Sequence, residues 1–250
     1  MLKTCFVIPT YNHTRALMSL LDELRPLGLP CVVVDDGSDD EPQVIAQLAQ
    51  REGSWLHLIR HSSNQGKGAA VMTGAHKAEE LGCTHLLQID ADGQHQAQDA
   101  SRFLEAASAA PEAIICGVPA FNGQVPRSRR YGRWATNIWV WINTLSFDIK
   151  DGMCGFRVYP LAPLLDLGRK MQLGSRMDFD PEVLVRLKWT GLKIINLPTL
   201  VRYPTDGRSH FKLGLDNWLI SRMHARLFFS MLARMPSLIS NSCAGTRRKN

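Results

Sequence analysis

This 250-residue chain has no apolar run approaching the ~20 residues that span a bilayer, so no membrane-spanning helix is expected. No basic segment precedes a long apolar one at the N-terminus, so no signal peptide is expected. Low-complexity blocks and internal repeats are absent, which leaves one large domain, or one domain with an appendage. The six cysteines (Cys5, Cys31, Cys83, Cys116, Cys154, Cys243) include no Cys-x-x-Cys pair, which argues against zinc or thioredoxin-like chemistry. Cys5, Cys31 and Cys116 sit in apolar runs and suit buried small hydrophobes. A reducing cytoplasm is the simplest setting for them.

Hydrophobic residues make up 45% of the chain, enough for a substantial core, and the formal net charge is +6. Basic residues gather in Arg127-Ser-Arg-Arg-Tyr-Gly-Arg133, along residues 222–234 and in Arg247-Arg-Lys249. That balance suits phosphates, anionic lipid surfaces or nucleic acid, or a solvated basic face. No recognition motif accompanies the basic clusters, so nucleic acid is not expected as a partner.

Short apolar runs at residues 4–9, 31–34, 55–59, 84–89 and 114–118 read as buried strands. Helical spacing falls between them, at residues 14–27, after Ser38, and at 66–81 and 97–109. Ser38 with Glu41 fits a capping box, and Pro42 suits a first helical turn. Further on, helices are expected at 134–147, 181–189 and 216–235, and strands at 155–159, closed by Pro160, and 192–197. Pro236 is expected to end the last helix and the remaining tail to be disordered. The alternation predicts an α/β fold, a mostly parallel sheet with helices on both faces. Ligands of such sheets bind beyond the carboxyl ends of the strands. Thr10-Tyr11-Asn12, Asp35-Asp36 and Asp90-Ala-Asp92 all fall at such ends.

Asp90-Ala-Asp-Gly-Gln-His95 presents two carboxylates and an amide oxygen after an apolar run. Mg²⁺ and Mn²⁺ favour oxygen ligands, and Mg²⁺ is commonly held by one or two carboxylates plus substrate phosphates. The segment therefore suits a metal that grips a diphosphate; taken alone it also fits a polar turn with solvated aspartates.

Five motifs occur in order: Phe6-Val-Ile-Pro-Thr-Tyr-Asn12, Val32-Val-Val-Asp-Asp-Gly-Ser38, Asn64-Gln-Gly-Lys-Gly-Ala-Ala70, Asp90-Ala-Asp-Gly-Gln-His95 and Asp151-Gly-Met-Cys-Gly-Phe-Arg157. Together they resemble the family 2 glycosyltransferases, in the branch of dolichyl- and polyprenyl-phosphate sugar transferases. The resemblance covers roughly residues 4–215. It implies a GT-A (nucleotide-diphospho-sugar transferase) catalytic domain over 1–215 and inverting transfer from a UDP- or GDP-sugar. It also implies a divalent cation and a lipid or polyprenyl-phosphate acceptor. Pro9, Tyr11, Asn12 and Asp36 would line the donor, Lys67 would approach its phosphates, and Asp90, Asp92 and Gln94 would hold the metal. Asn137 matches an asparagine of the acceptor segment, and Arg129 falls where that pattern has an arginine for a lipid phosphate. Arg157, Arg202 and Arg208 are further candidates for phosphate contact, and Asp180 and Glu182 for a catalytic carboxylate or for orienting basic residues. The chain departs from the pattern at His13, at Arg133, at His210 and at Gly117-Val-Pro119, where the family has Gly-Ser-Arg.

A phosphate acceptor needs no general base, whereas a hydroxyl acceptor would need Asp180 or Glu182 to take its proton. Residues 216–250 read as an amphipathic helix and tail. Its aromatic and arginine residues suit the cytoplasmic face of an anionic membrane, with residues 134–147 as the other half of a platform, or else packing on the core. A sugar nucleotidyltransferase is the rival enzyme, though Pro9-Thr-Tyr-Asn12 lacks its Gly-x-Gly-x-Arg loop; a non-catalytic membrane-surface adaptor is the other.

Overall fold

Strands buried on both faces must carry apolar side chains at successive positions rather than alternate ones. Thr4–Thr10 (β1) and Cys31–Asp35 (β2) do so, and every residue of both is buried. In the computed structural model, which describes residues 2–39, 44, 47–48, 50, 53, 55–121, 127–201 and 212–246, they are neighbouring interior strands of one sheet. The other strands are Leu56–Arg60 (β3), His85–Gln88 (β4), Ile114–Phe121 (β5), Arg157–Pro160 (β6) and Ile194–Val201 (β7). Their order is β3-β2-β1-β4-β6-β5-β7. β1, β2, β3 and β4 run parallel, as do β5 and β7, and only β6 is antiparallel to its neighbours. The mostly parallel α/β architecture expected from the sequence is thus present.

Side chains alternate across the sheet. Cys5 and Val7 enter one core cluster and Phe6 and Ile8 the other. The second face is covered by α1 (Thr14–Leu24) and α3 (Asp99–Ala109). The first is covered by α2 (Lys67–Glu80), α5 (Leu161–Lys170), α6 (Phe179–Trp189) and α7 (Leu213–Thr246). Arg127–Thr144 (α4) packs against α6 and α7.

Three expectations change here. Helix α5 was not anticipated; Pro160 ends β6 as expected, but it also sits just ahead of a helix carrying Leu161, Leu164 and Leu165 inward. Helix α7 does not stop at Pro236 but continues to Thr246, in place of a disordered tail. A proline removes one backbone hydrogen bond and kinks a helix without always ending it. Helix α4 begins at Arg127, seven residues before its apolar pattern. Glu41 and Pro42 of the expected capping box lie outside the described residues.

α7 buries Ile220, Met223, Leu227 and Met231 in the core, so the packed arrangement holds for this face. His224 lies on the same face, 3% exposed, with its Nδ1 3.3 Å from Asn143 Nδ2 of α4. Burial pushes its pKa down to about 4. The unfolded chain therefore binds a proton near pH 6.5 that the folded chain refuses. The stabilising effect is complete above that pH and is lost as pH falls towards 4. Urea melts of His224→Asn should lose about 2 kcal/mol less than the wild type between pH 7.5 and pH 5. Equal losses would show that His224 does not titrate with unfolding.

Candidate active site

The parallel register pairs Thr10 with Asp35, so the turns after β1 and β2 lie side by side. Asn12 occupies the left-handed region (φ 55°), which asparagine tolerates better than most residues. Its N–H donates to Ser38 Oγ at 2.9 Å, and its Oδ1 accepts from Asp39 N–H at 3.0 Å. Pro9 is buried within β1, and Tyr11 is half-buried at the turn.

Asp36 accepts from Gln65 N–H at 2.8 Å and Gly66 N–H at 2.7 Å, and His61 Nδ1 lies 2.7 Å from its Oδ1. The expected donor-lining carboxylate thus braces the turn that opens α2. Gly66 (φ 103°) ends that turn; a Cβ there would lie 2.4 Å from Ser175 O. Lys67 follows at the first position of α2, directed by this turn.

Lys67 Nζ bridges two carboxylates, at 2.8 Å from Asp90 Oδ2 and 2.6 Å from Asp180 Oδ2. Asp90 follows β4, whereas Asp180 is in the first turn of α6. Gln88 Nε2, buried in β4, donates to Asp180 Oδ1 at 3.2 Å. Gly155 makes room for Asp90, since a Cβ there would lie 2.1 Å from Asp90 Oδ2. Beneath them Arg157 is fully buried and donates to Asp180 O, Gly152 O and Tyr159 Oη at 2.8–2.9 Å.

Burial works against the charge on Lys67, but Asp180 and then Asp90 outweigh it and hold the ammonium above its usual range. Burial opposes ionisation of Asp90 as well, yet Lys67 and His95 keep its carboxyl below the usual range. Asp92 is pushed up, by burial and then by Asp90. Its Oδ1 accepts the Gln94 N–H, at 3.0 Å. The neighbouring Asp90 Oδ1 is buried without a hydrogen-bond partner among the described residues.

An orphaned carboxylate oxygen beside a carboxylate whose charge is disfavoured fits a divalent cation. Among the described residues no group of three or more His, Cys, Asp or Glu side chains could hold a metal alone. Two carboxylates completed by ligand phosphates remain the donor set that suits Mg²⁺. Asp90 and Asp92 would hold such an ion; Gln94, whose side chain is half-buried, is close in sequence.

The structure separates other expected partners. Asp180 and Glu182 are two residues apart on a helix and so point about 160° away from each other. Glu182 turns into the core and accepts from Gly174 N–H at 2.8 Å, Arg186 Nε at 2.7 Å and Arg226 Nη2 at 2.7 Å. It ties α7 to α6 rather than facing Lys67. Arg157 Nη1 reaches Asp180 through its backbone O at 2.8 Å and lies 3.7 Å from its Oδ1. Asn137 Oδ1 accepts from Gly152 N–H at 2.9 Å, and Arg133 Nη1 donates to both Asp151 oxygens at 2.7 Å. Both residues shape the 150–154 turn. Arg202, Arg208 and His210 lie outside the described residues, as does the Arg129 side chain. Sequence reasoning missed Gln88 and Gly155. Gln88 carried a signal, being the one polar residue in Leu86-Leu-Gln-Ile89.

Residues 5–165 match the model of the family described as glycosyl transferase family 2. Among curated proteins, the chain is 28% identical over 198 residues to an undecaprenyl-phosphate mannosyltransferase of Micrococcus luteus, covering 77% of this chain and 80% of that one. A UDP-N-acetylglucosamine–dolichyl-phosphate N-acetylglucosaminyltransferase of Methanococcus voltae is 23% identical, covering 79% and 84%. Among solved structures, glucosyl-3-phosphoglycerate synthase from Mycobacterium tuberculosis with Mn²⁺ and UDP-glucose superposes with a TM-score of 0.63 at 15% identity, covering 93% of this chain and 78% of that one. That likeness establishes a common GT-A fold.

Proposed function

The chain belongs to glycosyl transferase family 2 and is a glycosyltransferase, and we propose that it moves a sugar from a nucleotide-diphosphate donor to a polyprenyl-phosphate or similar lipid phosphate, with inversion. The observation that carries this reading is the state of the two candidate bases. Both Asp180 oxygens are taken by donors, Lys67 and Gln88, and both Glu182 oxygens by Gly174, Arg186 and Arg226. Glu182 has its four lone-pair sites filled, and Asp180 is only 3% exposed with a donor on each oxygen, so neither is well placed to take a proton from a hydroxyl. A phosphate acceptor needs no such help, because it is already anionic. The names of the Micrococcus and Methanococcus relatives support the same acceptor class.

In the proposed reaction the acceptor oxygen displaces a nucleoside diphosphate at the anomeric carbon. A divalent cation, Mg²⁺ or Mn²⁺, held by Asp90 and Asp92 would supply Lewis-acid stabilisation of the departing diphosphate. Lys67 keeps Asp90 ionised, pairs with Asp180 and would add positive charge near the leaving group in a partly dry site. Asp36 and Asn12 fix the turns that would receive the nucleotide, and Arg129 and Arg202 are the proposed acceptor and phosphate contacts.

The proposed setting is the cytoplasmic face of a membrane, with the protein bound peripherally. Among the described residues no helix is long and apolar enough to cross a membrane. Helices α4 and α7 nevertheless expose Tyr131, Trp134, Trp218 and Phe229, and Phe147 projects just after α4. Such aromatic residues next to arginines suit an interfacial surface.

A thermal-shift panel of UDP- and GDP-sugars with Mg²⁺ or Mn²⁺ tests the donor and the cation together. A ligand at about 100 times its Kd adds ~2.7 kcal/mol, or about 5–10 °C for a domain of this size. A shift that needs both nucleotide sugar and cation is expected. Undiminished sugar transfer to polyprenyl phosphate in excess chelator would overturn the metal assignment, and transfer only to hydroxyl acceptors would overturn the acceptor class.

A further inference from the structure

Successive helix residues advance by about 100°, so Leu215, Trp218, Arg222, Arg226 and Phe229 of α7 fall within about 80° of one another. That stripe is turned away from the buried face formed by Ile220, Met223, Leu227 and Met231. Two arginines stand in its middle, with exposed apolar side chains on both sides; Trp218 is 56% and Phe229 69% exposed. Beside the arginines a cavity of about 210 Å³ opens between α7 and the loop carrying Gln172, Gly174 and Asp178.

The two arginines are held differently. Arg226 is anchored through Nη2 to the fully buried Glu182, yet its side chain is 47% exposed and lines the cavity. Arg222 lies over the Trp218 ring at 5.3 Å and pairs with no carboxylate among the described residues. Asp178 stands on the opposite wall, but its Oδ1 accepts the Arg176 N–H at 3.1 Å. Two guanidinium groups one turn apart, one fixed by a buried carboxylate, suit a phosphate group. The flanking Leu215, Trp218 and Phe229 suit the acyl boundary beside such a headgroup.

We infer that this cavity binds the phosphate headgroup of an anionic glycerophospholipid, at a site separate from the Lys67–Asp90–Asp180 centre. The inference rests on the membrane-surface part of the proposed function and adds the lipid class and the residues that select it. Charge complementarity favours the lipid, because the same face offers both arginines and apolar side chains. A small soluble phosphate would leave the apolar flanks in water.

The full-length protein sedimented with vesicles of phosphatidylcholine alone, or with added phosphatidylglycerol, tests this. Arg222→Gln should weaken binding to the anionic vesicles about fivefold, the effect of one arginine near such a surface, and leave binding to phosphatidylcholine unchanged. Lys77→Gln, which removes one charge from α2, should behave as wild type. Equal losses in the two variants would reduce the effect to net charge and overturn the site. Equal wild-type binding to both vesicle types would overturn the headgroup inference while leaving membrane association standing. Failure to bind either would defeat both, with sugar transfer to a short soluble acceptor still testing the catalytic assignment. Inorganic phosphate is the last probe. If it raises the melting temperature of wild type but not of Arg222→Gln, with no vesicle preference, the cavity takes a soluble phosphate and the lipid is rejected.

Discussion

Asp92→Ala is expected to lower sugar transfer about a thousandfold without lowering the melting temperature of the ligand-free protein. The two halves of this expectation have separate origins. A bound cation is worth several kcal/mol of transition-state stabilisation, and each ~1.4 kcal/mol is a factor of ten in rate. Removing one of two carboxylates that would hold it should forfeit most of that. Stability moves the other way. The Asp92 carboxyl is pushed up by burial and by Asp90, so folding disfavours its charge at neutral pH. A group whose pKa rises on folding opposes the folded state above its unfolded value and ceases to do so as pH falls. Alanine removes that penalty. Calorimetry without metal, together with transfer assays, separates the outcomes. A large drop in melting temperature would mean that Asp92 holds the loop rather than a ligand.

Lys67→Met is expected to damage both properties. Its ammonium lies between Asp90 and Asp180, and removing it takes away the cation that the two carboxylates share. Breaking a buried pair by deleting one partner typically costs about 3–5 kcal/mol, and losing a placed charge at a developing oxyanion costs about 10²–10³ in kcat. Folding raises the Lys67 pKa, so its stabilising effect is complete at neutral pH and is lost only in strong alkali. The deficit of the variant should therefore shrink as pH is lowered towards the carboxylate range, where Asp90 without its lysine partner can take up a proton. A second signature does not depend on turnover. Mn²⁺ alone should raise the melting temperature of Lys67→Met more than that of wild type, because the ion would replace the missing positive charge. An equal shift in both proteins would show that Lys67 and the cation do not share the acidic pair.

Much of this site was legible before the fold was known. Asp90, Asp92, Asn12 and Asp36 stood out because each follows a buried apolar run, and such runs end at one edge of a parallel sheet. Lys67 was visible as the cation of a glycine-flanked turn. The roles of Asp36, Arg157, Arg133 and Glu182 were not legible. A carboxylate that braces a turn and one that faces a ligand have the same local sequence, and only burial and partners distinguish them. Arg157 opens β6 as a phosphate-binding arginine could, yet it is fully buried and spends both Nη atoms on three acceptors inside the protein. Helix α5 was hidden because Pro160 signals a strand end and a helix start equally well.

Hydrophobic runs and turn residues act over a few positions, so the sequence by itself determined the succession of strands and helices and the chemistry waiting at the strand ends. Which groups meet was decided by packing. Asp180 reaches Lys67 across 113 residues only because α6 lies over the start of α2. Glu182, two residues further on, is carried by the helical turn to the opposite side, where it fastens α7 to the core. Spacing along the chain cannot express such a choice, because it depends on how one helix is rotated against the sheet.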